Sequence, residues 1–206
     1  MLRCDNNSPR HTLTLLVMAM IIVAIVTPTV RVAADDVYLT LEEAPRTVFP
    51  NADSIERRDI QSSEEFKDEI RALIGRAQPT IWEPYYITFV AKKNGEVLGY
   101  AVVCEEIGKH RPITFITAID TEGKILDVAV MMYREAYGGE VRYPGFTRQF
   151  RGTTLDDPIT PRKNLKTISG ATLSSRAMAR GVRKALAVLQ LSYLNVGGGE
   201  GGGDVE

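Results

Sequence analysis

Apolar and polar positions follow three different rhythms along this chain. From Leu13 to Val26 the run is apolar on every side, with no polar stripe that would give a helix a solvent face. Further on, Phe66, Ile70, Leu73 and Ile74 recur at helical spacing behind Ser62-Ser63-Glu64-Glu65. That spacing predicts a helix capped at Ser62, with Glu65 completing an S-x-x-E pattern. A shorter helix is expected over Leu41–Val48, stopped by Phe49-Pro50-Asn51.

The rhythm changes at Tyr85. Residues 85–91 are aromatic and β-branched, Asn94-Gly95 supplies a tight turn, and Val97 to Cys104 runs back, which together predict a β-hairpin. Two more strands, Ile113 to Ile119 and Ile125 to Tyr133, flank Asp120-Thr-Glu-Gly123. Four strands with short connections imply an antiparallel sheet. Helical spacing returns at Thr172, where Met178, Val182, Ala185 and Leu189 form one stripe, and Arg176, Arg180, Arg183 and Lys184 are expected on solvated faces. Helices that precede and follow the strands, instead of alternating with them, give an α+β class: a mainly antiparallel sheet, helices before it and a C-terminal helix after it. Trp82 and Tyr85 are expected in the core.

The ends have their own character. Arg3 and Arg10 precede the apolar run, Pro28 breaks it, and Val32-Ala33-Ala34 ends in small residues, a signal-peptide layout. Residues 1–34 are therefore expected to direct export and to be cleaved, a retained anchor being the alternative if Thr27 to Val32 extends the run. The folded domain is expected over 40–192. Residues 193–206, rich in glycine and acidic, are expected to be a disordered tail.

Charge and cysteine content narrow the function classes. The formal net charge of -1 carries no nucleic-acid footprint. Without residues 1–34 the balance is 22 basic against 25 acidic side chains, mildly acidic. Cys104 lies in an alternating apolar stretch and reads as a packed strand residue. Cys4 belongs to the leader, so no disulfide is expected, and His110 has no neighbour at metal-ligand spacing.

The candidate chemistry is Ser169-Gly170-Ala171-Thr172-Leu173-Ser174-Ser175, just before the last helix. Small residues let a ligand approach the backbone there, and free N–H groups at a helix start favour an anion. The same residues also fit a simple cap. The spacing is not that of a P-loop, and no G-x-S-x-G elbow supports a hydrolase.

This S-G-A-T-L-S-S stretch, followed by a basic amphipathic helix, resembles the signature of the FMN-binding domain family, which includes the C component of the sodium-translocating NADH:quinone reductase and the G component of the Rnf complex. A second stretch is similar too: Tyr133-Arg-Glu-Ala-Tyr-Gly-Gly-Glu140, then Pro144-Gly-Phe146 and Gln149-Phe150-Arg-Gly152. The likeness covers about residues 40 to 190. It implies FMN as cofactor, esterified through its phosphate to Thr172 by a separate flavin transferase. It also implies that Glu135, Gly138 and Gly139 pass close to the flavin ring, with Tyr137 a stacking partner. The family pattern usually has Asp six residues before the modified threonine, where this chain has Lys166. Two outcomes stay open: a covalent link, or noncovalent FMN whose phosphate is held by Lys166, Ser169, Thr172 and the helix end. The expected function is electron relay between membrane redox partners outside the cytoplasm. A noncovalent flavin reductase and a cofactor-free accessory module are the alternatives.

Overall fold

A computed structural model describes residues 36–195; the leader expected over 1–34 and most of the expected tail lie outside the described residues. Its centre is a six-stranded antiparallel sheet formed by β1 (Asp36–Val37), β2 (Ser54–Gln61), β3 (Tyr85–Lys93), β4 (Glu96–Ile107), β5 (Pro112–Ile119) and β6 (Ile125–Tyr133). The strand order is β1-β6-β5-β4-β3-β2, so consecutive strands from β2 to β6 are neighbours and β1 closes the far edge. The β3–β4 turn uses Asn94 and Gly95, both at positive φ (51° and 84°), the primed geometry that matches strand twist.

Helices cover both faces. On one side α1 (Glu43–Val48) lays Ala44 and Val48, with Phe49, against Phe89, Ala91, Ala101, Ile116, Ala118 and Met131. Its start is a reciprocal capping box: Glu43 N–H donates to Thr40 Oγ1 at 3.2 Å, and Thr40 N–H donates to Glu43 Oε2 at 2.9 Å. On the other side lie α2 (Glu64–Ile74) and the long α4 (Thr172–Leu189), with the single-turn α3 (Pro144–Thr147) between 3₁₀ turns Gly139–Arg142 and Arg148–Phe150. Ile70 and Ile74 of α2 and Met178, Val182, Ala185 and Leu189 of α4 are all in the larger core. The Phe115 ring lies so close to α4 that a Cβ at Gly181 would stand 2.3 Å from its Cζ. Because both faces are covered, β5 is buried at most positions and reads in sequence as a near-continuous apolar run.

Several expectations are corrected. The cap of α2 is Ser63, whose Oγ accepts from Phe66 N–H at 3.2 Å, while Ser62 is buried and does not cap the helix. The strand β2 was not anticipated: its Ser-Ile-Glu-Arg-Arg-Asp-Ile-Gln sequence has no apolar alternation because it is a largely exposed edge strand. Tyr85 is 48% exposed and is not a core residue, whereas Trp82 packs against the core with the Arg71 guanidinium 4.6 Å above its ring. Lys184, expected on a solvated face, is fully buried. Its ammonium meets both Glu83 carboxylate oxygens (2.8 and 2.7 Å) and the carbonyls of Ile81 and Glu105 (2.9 and 3.0 Å). A charge survives burial only when paired and hydrogen-bonded in this way. Cys104 is fully buried, and burial pushes its thiol pKa up. The last helix continues as a π turn, Gln190–Leu194, in which Tyr193 stacks on Tyr100 with ring centroids 4.4 Å apart.

Candidate functional site

The S-G-A-T segment ends in an uncapped helix start. Gly170 takes a φ of +82°, Ala171 occupies the cap position without a side chain that can accept, and α4 begins at Thr172. The first helical bond to form is Ser175 N–H to the Ala171 carbonyl at 2.9 Å. Among the described residues the N–H groups of Thr172, Leu173 and Ser174 therefore have no acceptor. The helix dipole adds positive potential at the same point.

Of the four hydroxyls gathered here, two are committed internally. Ser175 Oγ donates to the Ala171 carbonyl at 2.8 Å, and Ser174 Oγ lies 2.8 Å from the Tyr133 hydroxyl. Ser169 is exposed and Thr172 half-buried, and neither hydroxyl has a partner among the described residues. Open space surrounds Gly170, where an added Cβ would meet nothing within 4 Å. Three free N–H donors, two free hydroxyls and an unobstructed approach suit a phosphate.

The glycine loop is fastened to this helix start. Tyr133 donates to the Tyr137 carbonyl at 2.6 Å, and with its proton so used it accepts from Ser174. Burial raises the Tyr133 pKa, although its bond with Ser174 opposes that. Gly138 packs into the same corner at φ +92°, and a Cβ there would stand 2.6 Å from Ser174 Oγ and 2.7 Å from the Tyr133 hydroxyl. Only glycine satisfies both the backbone and the approach. Gly139 lies against the face of the Tyr133 ring, while Tyr137 is 85% exposed.

Glu135 is positioned by another task. One carboxylate oxygen accepts from the backbone N–H groups of Lys109, His110 and Arg111 at 2.6, 2.8 and 3.1 Å, pinning the β4–β5 turn to the end of β6. Burial pushes its pKa up, but the three N–H donors outweigh that and the net shift is downward. Gln149 holds the segment on the other side: Lys166 N–H donates to Gln149 Oε1 at 2.8 Å, and Gln149 Nε2 donates to the Lys166 carbonyl at 3.3 Å. The Lys166 side chain is exposed. The two stretches singled out in the sequence thus meet at one place. Sequence reasoning missed the Tyr133–Ser174 and Gln149–Lys166 bonds, because neither spacing nor residue type announces a contact between residues so far apart in the chain.

Comparison with known proteins bears on this corner of the molecule. Residues 108–187, from the β4–β5 turn through most of α4, match the family model for the FMN-binding domain. The FMN-binding domain family suspected from the sequence motifs is matched over these residues. Its cofactor is FMN, and the free donors at the start of α4 fit the phosphate of that molecule.

Relatives include the G component of the Na(+)-translocating ferredoxin:NAD(+) oxidoreductase complex of Acetobacterium woodii, 26% identical over 71% of this chain and 72% of the relative. The corresponding component of the proton-translocating ferredoxin:NAD(+) oxidoreductase complex of Clostridium ljungdahlii is 26% identical over 48% of this chain and 57% of that protein. That of the ion-translocating oxidoreductase complex of Stutzerimonas stutzeri is 28% identical over 48% of each chain. The chain thus spans little more than half of the Clostridium relative and about half of the Stutzerimonas one. The crystal structure of Shewanella oneidensis NqrC superposes with a TM-score of 0.50 at 16% identity, over 73% of this chain and 86% of that one, a likeness of fold.

Proposed function

We propose that this chain is an exported flavoprotein that carries FMN at the start of α4, phosphoester-linked to Thr172. It relays electrons on the outer face of the cytoplasmic membrane, as part of an ion-translocating oxidoreductase. The observation that carries this reading is the uncapped start of α4, where among the described residues the Thr172 hydroxyl has no partner and the three N–H groups beside it have no acceptor.

Each residue has a stated task. Thr172 Oγ is the alcohol of the ester, and the N–H groups of Thr172, Leu173 and Ser174, with Ser169, offset the charge the phosphate keeps. Tyr133, Gly138 and Ser174 fix where the helix begins, and Gln149 fixes the strand of chain that leads into it. FMN, when bound, supplies the electron chemistry, so the protein needs no acid–base pair of its own. The leader layout supports export, and the three relatives named as parts of ion-translocating complexes support membrane partners. Attachment requires a flavin transferase. A tethered cofactor is not lost by diffusion outside the cell membrane.

Acid precipitation tests the link. Co-expressed with a flavin transferase, wild-type protein is expected to stay yellow in the precipitate, and Thr172→Ala to release all flavin to the supernatant. Release from both would point to noncovalent FMN, and a colourless wild type that binds no added FMN to an accessory module.

A further inference from the structure

The short strand β1 pairs only with Tyr133 and Met132, so it leaves the edge of β6 from Asp127 to Val130 without a strand beside it. A pocket of about 430 Å³ opens there, within the range of small-ligand sites. Tyr38, just after β1, and the chain from Arg142 to Arg151 line its other sides, and no residue of α4 takes part.

Three arginines and one acid line this pocket, Arg142, Arg148 and Arg151 against Asp127. The acid is already taken, because Arg151 Nε and Nη2 meet its two oxygens at 3.2 and 2.9 Å. The Arg142 guanidinium has no acid partner among the described residues. It lies over the rings of Tyr38 and Tyr143, 4.3 and 4.8 Å from their centroids, and donates to the Tyr143 hydroxyl at 2.9 Å. Arg148 is exposed and its side chain has no partner among the described residues. Asp36 accepts from the Tyr38 hydroxyl at 3.1 Å but is exposed and does not line the pocket. Two guanidinia without acids, one of them held in place by aromatic rings, suit the oxygens of a phosphate.

The position of the pocket in the chain says where that phosphate comes from. Tyr38 stands four residues after Ala34, an extended reach of about 14 Å, so the pocket lies where the folded domain meets the leader. Tyrosine rings beside basic side chains are the pairing found at membrane–water interfaces, and Tyr143 is 51% exposed. Without residues 1–34 the chain has 22 basic against 25 acidic side chains, so as a whole it is repelled by an anionic membrane. Attraction has to come from a local excess of arginine, and this pocket supplies one.

We propose that the pocket takes the phosphate of an anionic phospholipid headgroup, with Arg148 and Arg142 as its donors, and so seats the β1 edge of the domain on the membrane. The proposal rests on the outer-face location given above.

Isothermal titration of the full chain with dihexanoyl phosphatidylglycerol, a lipid short enough to stay monomeric in water, tests it beside dihexanoyl phosphatidylcholine, inorganic phosphate and an octaglutamate peptide. Wild type is expected to prefer the phosphatidylglycerol over the phosphatidylcholine by about fivefold or more. Arg148→Gln, which breaks no contact within the fold, should weaken that binding about fivefold, Arg148→Glu further, and Arg148→Lys should keep most of it. Arg76→Gln, an exposed charge after α2 and outside the pocket, should leave it unchanged. Every variant carries the same leader, so differences between them report the pocket. Equal binding of the two lipids, unaltered binding by Arg148→Glu, or an equal loss in Arg76→Gln would overturn the proposal. Tighter binding of inorganic phosphate or of octaglutamate would also overturn it, in favour of a free anion or an acidic partner segment. Protease accessibility in spheroplasts reads the outer-face location separately, so a failed premise is distinguished from a failed pocket.

Discussion

Gln149 and Lys166 are joined through the backbone of one and the amide of the other: Lys166 N–H donates to Gln149 Oε1 at 2.8 Å, and Gln149 Nε2 returns a 3.3 Å bond to the Lys166 carbonyl. The amide therefore acts on the chain three residues before Ser169. Gln149→Leu is expected to cost about 1–3 kcal/mol in chemical denaturation, since it leaves a backbone N–H and carbonyl without their partner. It should also lower the fraction of protein that carries flavin, because the segment leading to Thr172 loses its fixed position.

These two bonds use only the main chain of Lys166, whose side chain is exposed. Lys166→Asp should consequently leave stability within about 0.5 kcal/mol of wild type. Under limiting flavin transferase, the rate of flavin attachment to this variant is expected to rise, because it restores the acid that the family pattern usually has at this position. A slower rate, read by in-gel fluorescence, would show that lysine is the better residue here.

Glu135 makes the β4–β5 turn depend on pH. Its carboxylate is held below its ordinary pKa of 4.5, burial being outweighed by the N–H groups of His110, Arg111 and Lys109. A carboxylate with a lowered folded-state pKa adds stability above the unfolded value and loses it as pH falls through the folded one. Glu135→Ala is expected to cost about 1–3 kcal/mol at pH 7. The gap between the two proteins should close as pH drops below about 4.5, the ordinary value. Urea denaturation of both across pH 3 to 7 reads this directly, and a gap that is constant with pH would assign the loss to packing alone.

Lys184 and Glu83 form a buried pair at 2.7 Å, with the lysine side chain fully buried and the glutamate 13% exposed. Removing one partner leaves the other charge uncompensated, so Lys184→Met is expected to cost about 3–5 kcal/mol. Lys184→Met combined with Glu83→Gln should recover part of that loss. A double-mutant cycle in urea measures the coupling, and additive losses would contradict it.

Much of this architecture is legible in sequence because burial leaves a periodic mark. The Asn94-Gly95 turn, the strands ending at Ile119 and Tyr133, and the stripe Met178–Val182–Ala185–Leu189 all follow from it. Strand β2 escaped because an edge strand facing water needs no apolar alternation, and its pairing to β3 is carried by the backbone. Lys184 escaped for the opposite reason: one charged residue on a helix gives no local sign that Glu83, a hundred residues earlier, waits inside. The S-G-A-T segment was legible as chemistry, since small residues and hydroxyls at a helix start have a recognisable spacing. Its fastening to the glycine loop was not, because Tyr133 and Ser174 are brought together only by the fold.

The claim at the centre of this account is that Thr172 bears the flavin. Trypsin cleavage after Lys166 and Arg176 releases residues 167–176, which contain four candidate hydroxyls, Ser169, Thr172, Ser174 and Ser175, besides Thr167. Fragment masses of this peptide, from protein co-expressed with a flavin transferase, are predicted to place FMN less one water on Thr172. An unmodified peptide from protein whose flavin leaves on denaturation, or the added mass on Ser169, would contradict it.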